Sequence, residues 1–426
     1  MTSPTPPQHV DLAVIGAGAA GLMAAISAGR EAQRLNARLT IVALDGARTL
    51  GAKILVAGGG RCNVTHHQVD DSAYAGSTRP AIRKVLKRFD VPDTIRFFRE
   101  LGVELKKEDT GKLFPVTDSA RDVLNALLRA ARDADVKVIH PWRVADVQPD
   151  PDGFLVTRDD EAEGPSAFRA RRVILATGGL SLPKSGSDGQ GLNIARALHV
   201  EVTPRLFPAL VPLTLPRDHF LCALSGITIP AAITVRTGTN KKIVSFTNST
   251  LLTHFGLSGP GVLDASRYYL DARAQDPEVG LEIHFLPFHS SEWLDEQLRS
   301  AGKATPTTIL REHMPERLAR ALAGNDANTP CAALTKDARR AIVTACTALR
   351  LPITGNRGYL FAEVTAGGVP LSALRLESME SRAQPGLHLV GEICDVDGRI
   401  GGFNFQWAWA SGFVAGSAAA AALAGC

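Results

Sequence analysis

Apolar runs that stop at glycines recur along this chain. Residues 12–15 end at Gly16, residues 172–176 run into Thr177-Gly178-Gly179, and residues 361–370 and 387–395 repeat the pattern toward the C-terminus. Short apolar runs without alternation predict strands buried on both faces, the habit of a parallel sheet. A second strand, 39–44, ends at Asp45. Helical patterns intervene: the alanine-rich segment after Gly21, residues 79–89 with Ile82, Val85, Leu86 and Phe89 at helical spacing, a helix opened by Pro92, and residues 118–132. Strands at 113–116, 136–139, 142–147, 154–158 and 171–176 are expected, the last three forming a meander with turns at 150–153 and 161–166. The alternation predicts an α/β chain.

The pattern changes near His199. Residues 200–287 alternate short β-rich runs with Pro, Gly and Thr and read as a separate all-β unit. Residues 293–349 are helical in pattern, and residues 361–426 return to strand, glycine turn and helix. The expected domains are 1–198 plus 355–426, 199–290 and 291–354. A length of 426 residues suits such a division.

Composition adds little beyond this. The net charge of +4 permits contact with nucleic acid without demanding it. The most basic region, 79–112, holds ten Lys and Arg against six Asp and Glu. Six scattered cysteines form no C-x-x-C, so no structural metal site is expected, and they suit a reducing cytoplasm. Residues 1–9 lack a signal-peptide pattern. The uncharged stretch 400–426 is long enough to span a bilayer. Its small residues and opening glycines favour a buried helix, and no membrane contact is expected.

The glycines carry the chemistry. Gly16, Gly18 and Gly21 have G-x-G-x-x-G spacing directly after a strand and before a helix. The first permits the tight turn, the second lets backbone approach a pyrophosphate, and the third packs helix on strand. The N–H groups of Ala17, Ala19 and Ala20 then face the phosphates. Asp45 is placed to accept from ribose hydroxyls. In residues 49–66, Gly59 and Gly60 admit close ligand approach, Lys53 and Arg61 can pair with phosphate, and Asn63 can bond a ring edge. Val144, Thr177 and Gly178 join the cofactor-binding set, and so do Gly391, Asp395, Gly401, Gly402, Phe403 and Asn404 before the last helix.

These residues together resemble the BaiN/YhiN-like family of FAD-dependent oxidoreductases. The resemblance runs nearly end to end: GAGAAG at 16–21, KILVAGGGRCNVT at 53–65, ATGGLSLP at 176–183, PALVPL at 208–213, LLTHFGLSGP at 251–260, EVTAGGV at 363–369, SMES at 378–381 and GGFNFQWAW at 401–409. The chain departs from the family at Ala57, usually Ser; at His66, usually Asn; and at Phe403, often Tyr. None of these is a phosphate-binding glycine. The resemblance implies a Rossmann-like FAD-binding domain of the two-dinucleotide-fold flavoprotein type, with an inserted β-rich, barrel-like domain and a helical subdomain. It also implies FAD as cofactor, NADH or NADPH as transient reductant, and reduction of an activated C=C bond.

Family members suggest two acceptors, a uridine of large-subunit rRNA or a small enone of the bile-acid kind. Hydride would enter the C=C bond and a proton would follow, with Cys62 and His254 as candidate donors. Cys62 is equally read as a packed residue in a tight glycine loop, and a lone His254 as structural. The region 79–112 is the candidate RNA contact. A small-molecule enone reductase and a non-catalytic redox sensor are the rivals.

Overall fold

The computed structural model describes residues 7–159 and 165–425. Most of the turn expected at 161–166 therefore lies outside the described residues. The chain divides into two compact units, 1–208 with 364–426, and 209–363.

The first unit is built on parallel strands. Gln8–Ile15 lies between Ile41–Leu44 and Ala167–Leu175, with Val136–Ile139 beyond the former and Leu387–Leu389 beyond the latter, all parallel. Leu12, Ala13 and Val14 have no exposed surface, because both faces of the sheet are covered. The long strand Ala167–Leu175 serves two neighbours in turn. Its first residues pair antiparallel with Gly153–Arg158, which pairs with Val144–Asp150, and its last residues pair with Leu387–Leu389. The expected meander is therefore present, ending on the main sheet.

The first helix, Ala19–Arg34, and the C-terminal helix, Phe403–Ala424, pack unusually closely. A Cβ on Gly412 would lie 2.5 Å from the Ala20 carbonyl oxygen, and one on Gly416 would lie 2.0 Å from that of Ala24. Only glycine permits this approach. Phe403–Ala424 is long and apolar enough to cross a membrane, and 67% of its most apolar window is buried inside the protein.

Residues 52–60, expected as loop, begin as helix. Regular geometry holds until Ala57, Gly58 and Gly59 break it, the two glycines at φ of +57° and +70°. The apolar run Ile54, Leu55 and Val56 propagates the helix, and the glycines then end it.

The second unit keeps the expected barrel-like sheet and departs from expectation in two ways. Its sheet is seven-stranded and antiparallel, running from Leu349–Leu351 through Gly280–His284, Thr228–Arg236, Lys242–Thr253, Gly256–Ser258 and Leu213–Thr214 to Gly355–Asn356, and because three residues join the two end strands it curls on itself. The stretch expected to be all-β contains a 14-residue helix, Pro260–Arg273, started by Gly259 and a proline in its first turn. The helices at Ser291–Ser300, Glu316–Ala323 and Lys336–Thr347 form no separate body. Leu294, Leu298, Leu318 and Ile342 share one core with Ile233, Leu281 and Ile283 of the sheet. Amphipathic helices of this length need an apolar face to cover, and the sheet supplies it.

The helix contact yields a test. Gly416→Leu forces side-chain atoms into the Ala24 backbone and should destabilise the first unit by about 3 kcal/mol. Chemical denaturation measures this; an unchanged midpoint would refute the close contact.

Candidate functional site

The turn after the first strand is shaped by backbone contacts. Gly16 has φ +95°, and a Cβ there would lie 2.5 Å from the Ala176 carbonyl oxygen; a Cβ on Gly21 would lie 1.7 Å from that of Gly16. Gly18 differs, because a Cβ there would meet nothing within 4 Å. The first and third glycines serve packing, and the second leaves a cradle open. Gly18 caps the first helix without a side-chain hydrogen bond, and no acidic residue stands in the first turn. The amides of Ala19, Ala20 and Gly21 thus present an uncapped, electropositive helix end.

Asp45 closes the turn from the neighbouring strand. Ala17 N–H donates to Oδ2 at 2.7 Å and Ala47 N–H to Oδ1 at 2.8 Å. Each carboxylate oxygen keeps a further lone pair for a hydroxyl donor. Trp142 N–H donates to the Asp45 carbonyl at 2.7 Å, which ties in the segment that leads to Val144, a buried residue at the start of its strand.

Lys53 is engaged within the protein. Its Nζ donates to Glu392 Oε2 at 2.6 Å, Ser181 Oγ at 2.9 Å and Ser187 Oγ at 3.1 Å. Ser181 Oγ and Thr365 N–H donate to Glu392 Oε1 at 2.6 and 3.0 Å. This cluster braces the Thr177–Gly178 turn: Cβ atoms on Gly178 and Gly179 would lie 2.6 Å from Ser187 Oγ and 2.5 Å from Thr365 Oγ1. Glu392, Ser181, Ser187 and Thr365 were not among the expected site residues. Glu392 follows Gly391 directly, and an acid after a strand-ending glycine was the available signal.

Arg61 is likewise paired, with Glu108 at 2.6 Å, and its guanidinium lies 4.0 Å from the Phe114 ring centroid. Gly59 and Gly60 precede it, and a Cβ on Gly59 would meet nothing within 4 Å. Cys62 has no exposed surface and lies in the core; burial pushes its thiol up to about 12. Asn63 is 8% exposed, and its Oδ1 is buried without a hydrogen-bond partner. An unmet buried acceptor is costly, and a ligand N–H or O–H would satisfy it.

The C-terminal segment fastens these pieces. Gly391 reaches the first helix, since a Cβ there would lie 2.7 Å from Ala20 Cβ. Trp407 Nε1 donates to the Gly391 carbonyl at 3.0 Å and Trp409 Nε1 to that of Val64 at 2.9 Å. Gln406 Oε1 accepts from Thr65 and Thr94 hydroxyls at 2.7 and 2.9 Å. Gly401 and Gly402 both have positive φ, and Gly402 caps the last helix with no side-chain bond. Phe403 stacks on His66 at 4.9 Å. Asn404 is committed to both backbone groups of Gly398, at 2.7 and 2.9 Å. Ser77 N–H donates to the Asp395 carbonyl at 2.8 Å.

His254 stands in the other unit, exposed at the tip between Lys242–Thr253 and Gly256–Ser258. The basic region is half neutralised. Arg83 pairs with Asp71, Lys84 with Glu377, Arg96 with Asp93, Arg99 with Glu104 and Lys106 with Asp118.

An open glycine cradle, an uncapped helix end and an unmet Asn63 acceptor fit a phosphorylated dinucleotide. The chain has the architecture of a Rossmann-type flavoprotein of the oxidoreductase class. It belongs to the family described as HI0933-like protein Rossmann domain, which it matches over residues 10–418. It is 33% identical to a ribosomal RNA dihydrouridine synthase of Escherichia coli, over 95% of this chain and 96% of that one. It is 32% identical to a 3-dehydro-bile acid delta(4,6)-reductase of Clostridium scindens, over 96% and 98%. Its fold resembles a quinol-fumarate reductase chain, with TM-score 0.52, 16% identity and coverage of 98% and 72%.

The glycines separate two effects. Gly18→Val should fold and melt cooperatively but purify without visible flavin absorbance. Gly21→Val should lose about 3 kcal/mol or more of stability. Stoichiometric flavin in the Gly18 variant would refute the cradle.

Proposed function

We propose that this chain is an FAD-dependent reductase that uses NADH or NADPH to saturate a C=C bond conjugated to a carbonyl, with a uridine of large-subunit rRNA as acceptor. The observation that carries the reading is the near full-length identity to two relatives whose named reactions share that chemistry. A uracil C=C and a steroid enone are both electron-poor at the carbon β to a carbonyl. A second rRNA dihydrouridine synthase, from Haemophilus influenzae, is 32% identical over 95% of this chain, which favours the RNA acceptor.

Bound FAD would supply hydride chemistry. The uncapped end of the first helix and Asp45 would hold its phosphates and ribose, and Asn63 would offer its free acceptor to a ligand N–H or O–H. The Lys53–Glu392 cluster keeps the Thr177–Gly178 turn in shape. The proton that completes reduction needs an accessible donor. Of the two expected donors, His254 is exposed, and Cys62 is buried and hard to ionise.

Anaerobic incubation of the holoenzyme with NADPH or NADH and unmodified large-subunit rRNA, read by nucleoside mass spectrometry, tests this. Dihydrouridine at one position is expected. Flavin that is reduced by NAD(P)H but yields no dihydrouridine would move the acceptor to a small enone. His254→Ala should slow acceptor reduction about 100-fold while leaving flavin reduction intact; unchanged turnover would remove His254 from the mechanism.

A further inference from the structure

One edge of the second unit's sheet carries an aromatic–cationic ladder. The Arg357 guanidinium lies 4.4 Å from the Phe255 ring centroid and 4.0 Å from that of Phe361. Arg357 N–H donates to the Pro212 carbonyl at 3.1 Å and Gly358 N–H to Asn356 Oδ1 at 2.8 Å, so the loop is tied to its neighbouring strand. The ladder is open to solvent: Phe361 is 48% exposed, Leu360 is 56% exposed, and His254 beside Phe255 is exposed.

Its own segments carry a cation, and exposed Glu363 follows two residues after Phe361. Residues 209–216, 248–263 and 355–362, which build this edge, contain Arg357 and no Asp or Glu. The carboxylates that border them along the chain are Asp218, Asp264 and Glu363. An exposed ring beside a fixed cation, on segments free of carboxylate, matches a ligand with flat π faces and negative charge between them. Unpaired nucleotides have that chemistry.

We propose that the Phe255–Arg357–Phe361 ladder is a stacking platform for unpaired bases of an RNA strand. The proposal rests on the reading of the chain as an RNA-modifying reductase. Phe361 supplies the ring face, and Arg357, held against both rings, supplies attraction for phosphate.

Fluorescence anisotropy of a labelled short oligouridylate with the holoenzyme tests it. Phe361→Ala should weaken binding about tenfold, and Phe361→Tyr should bind as the wild type does. Arg357→Gln should weaken binding and lower the salt slope by about one. Equal binding by wild type, Phe361→Ala and Arg357→Gln would overturn the platform, even in a protein that forms dihydrouridine. Wild-type protein that does not bind the oligonucleotide would overturn it too. Phe361-dependent binding without dihydrouridine formation would keep the platform and remove the rRNA reading.

Discussion

The contact between the Gly16 carbonyl and Gly21 governs the first unit. With a Cβ position on Gly21 only 1.7 Å from that oxygen, no side chain fits, and the helix can start directly on the strand. That closeness aims the free amides of the first turn at the space beside Gly18. A larger residue would push the helix away and remove both the packing and the electropositive end at once. Packing and ligand geometry are therefore one constraint here.

The C-terminal helix stabilises the arrangement from the far end of the sequence. Each buried indole of Trp407 and Trp409 removes roughly 150–250 Å² from water, worth about 4–6 kcal/mol at about 25 cal/mol per Å². Their hydrogen bonds to Gly391 and Val64 contribute about 1 kcal/mol each. Burial thus holds the helix in place, and the hydrogen bonds choose its rotation. Through them the last helix sets the backbone at Gly391 and Val64.

Much of this was legible in the sequence. Local patterns showed the parallel strands, the spacing of Gly16, Gly18 and Gly21, and the acid at Asp45, because each depends on neighbours along the chain. Partners distant in sequence were not legible. Lys53 and Arg61 looked like phosphate ligands because their loop is glycine-rich, yet Glu392 and Glu108 hold them. The helix Pro260–Arg273 was hidden by low amphipathicity, since it is packed on more than one side. The shared core of the second unit depends on packing between segments distant in sequence, which no local pattern reveals.

The charged residues separate by what they can still do. Lys53 has a mostly buried carboxylate partner, whereas the pairs of Arg61 and of the basic region are largely exposed and weak. Under the proposed function, anion binding in the first unit would fall to backbone amides, which need no counter-ion and do not titrate. Such a site is preorganised, because fixed dipoles need not reorient when a charged ligand arrives. Asn63 extends the same logic: its buried oxygen lacks a partner, and under the proposed function a ligand would gain the hydrogen bond that the folded chain leaves unmade.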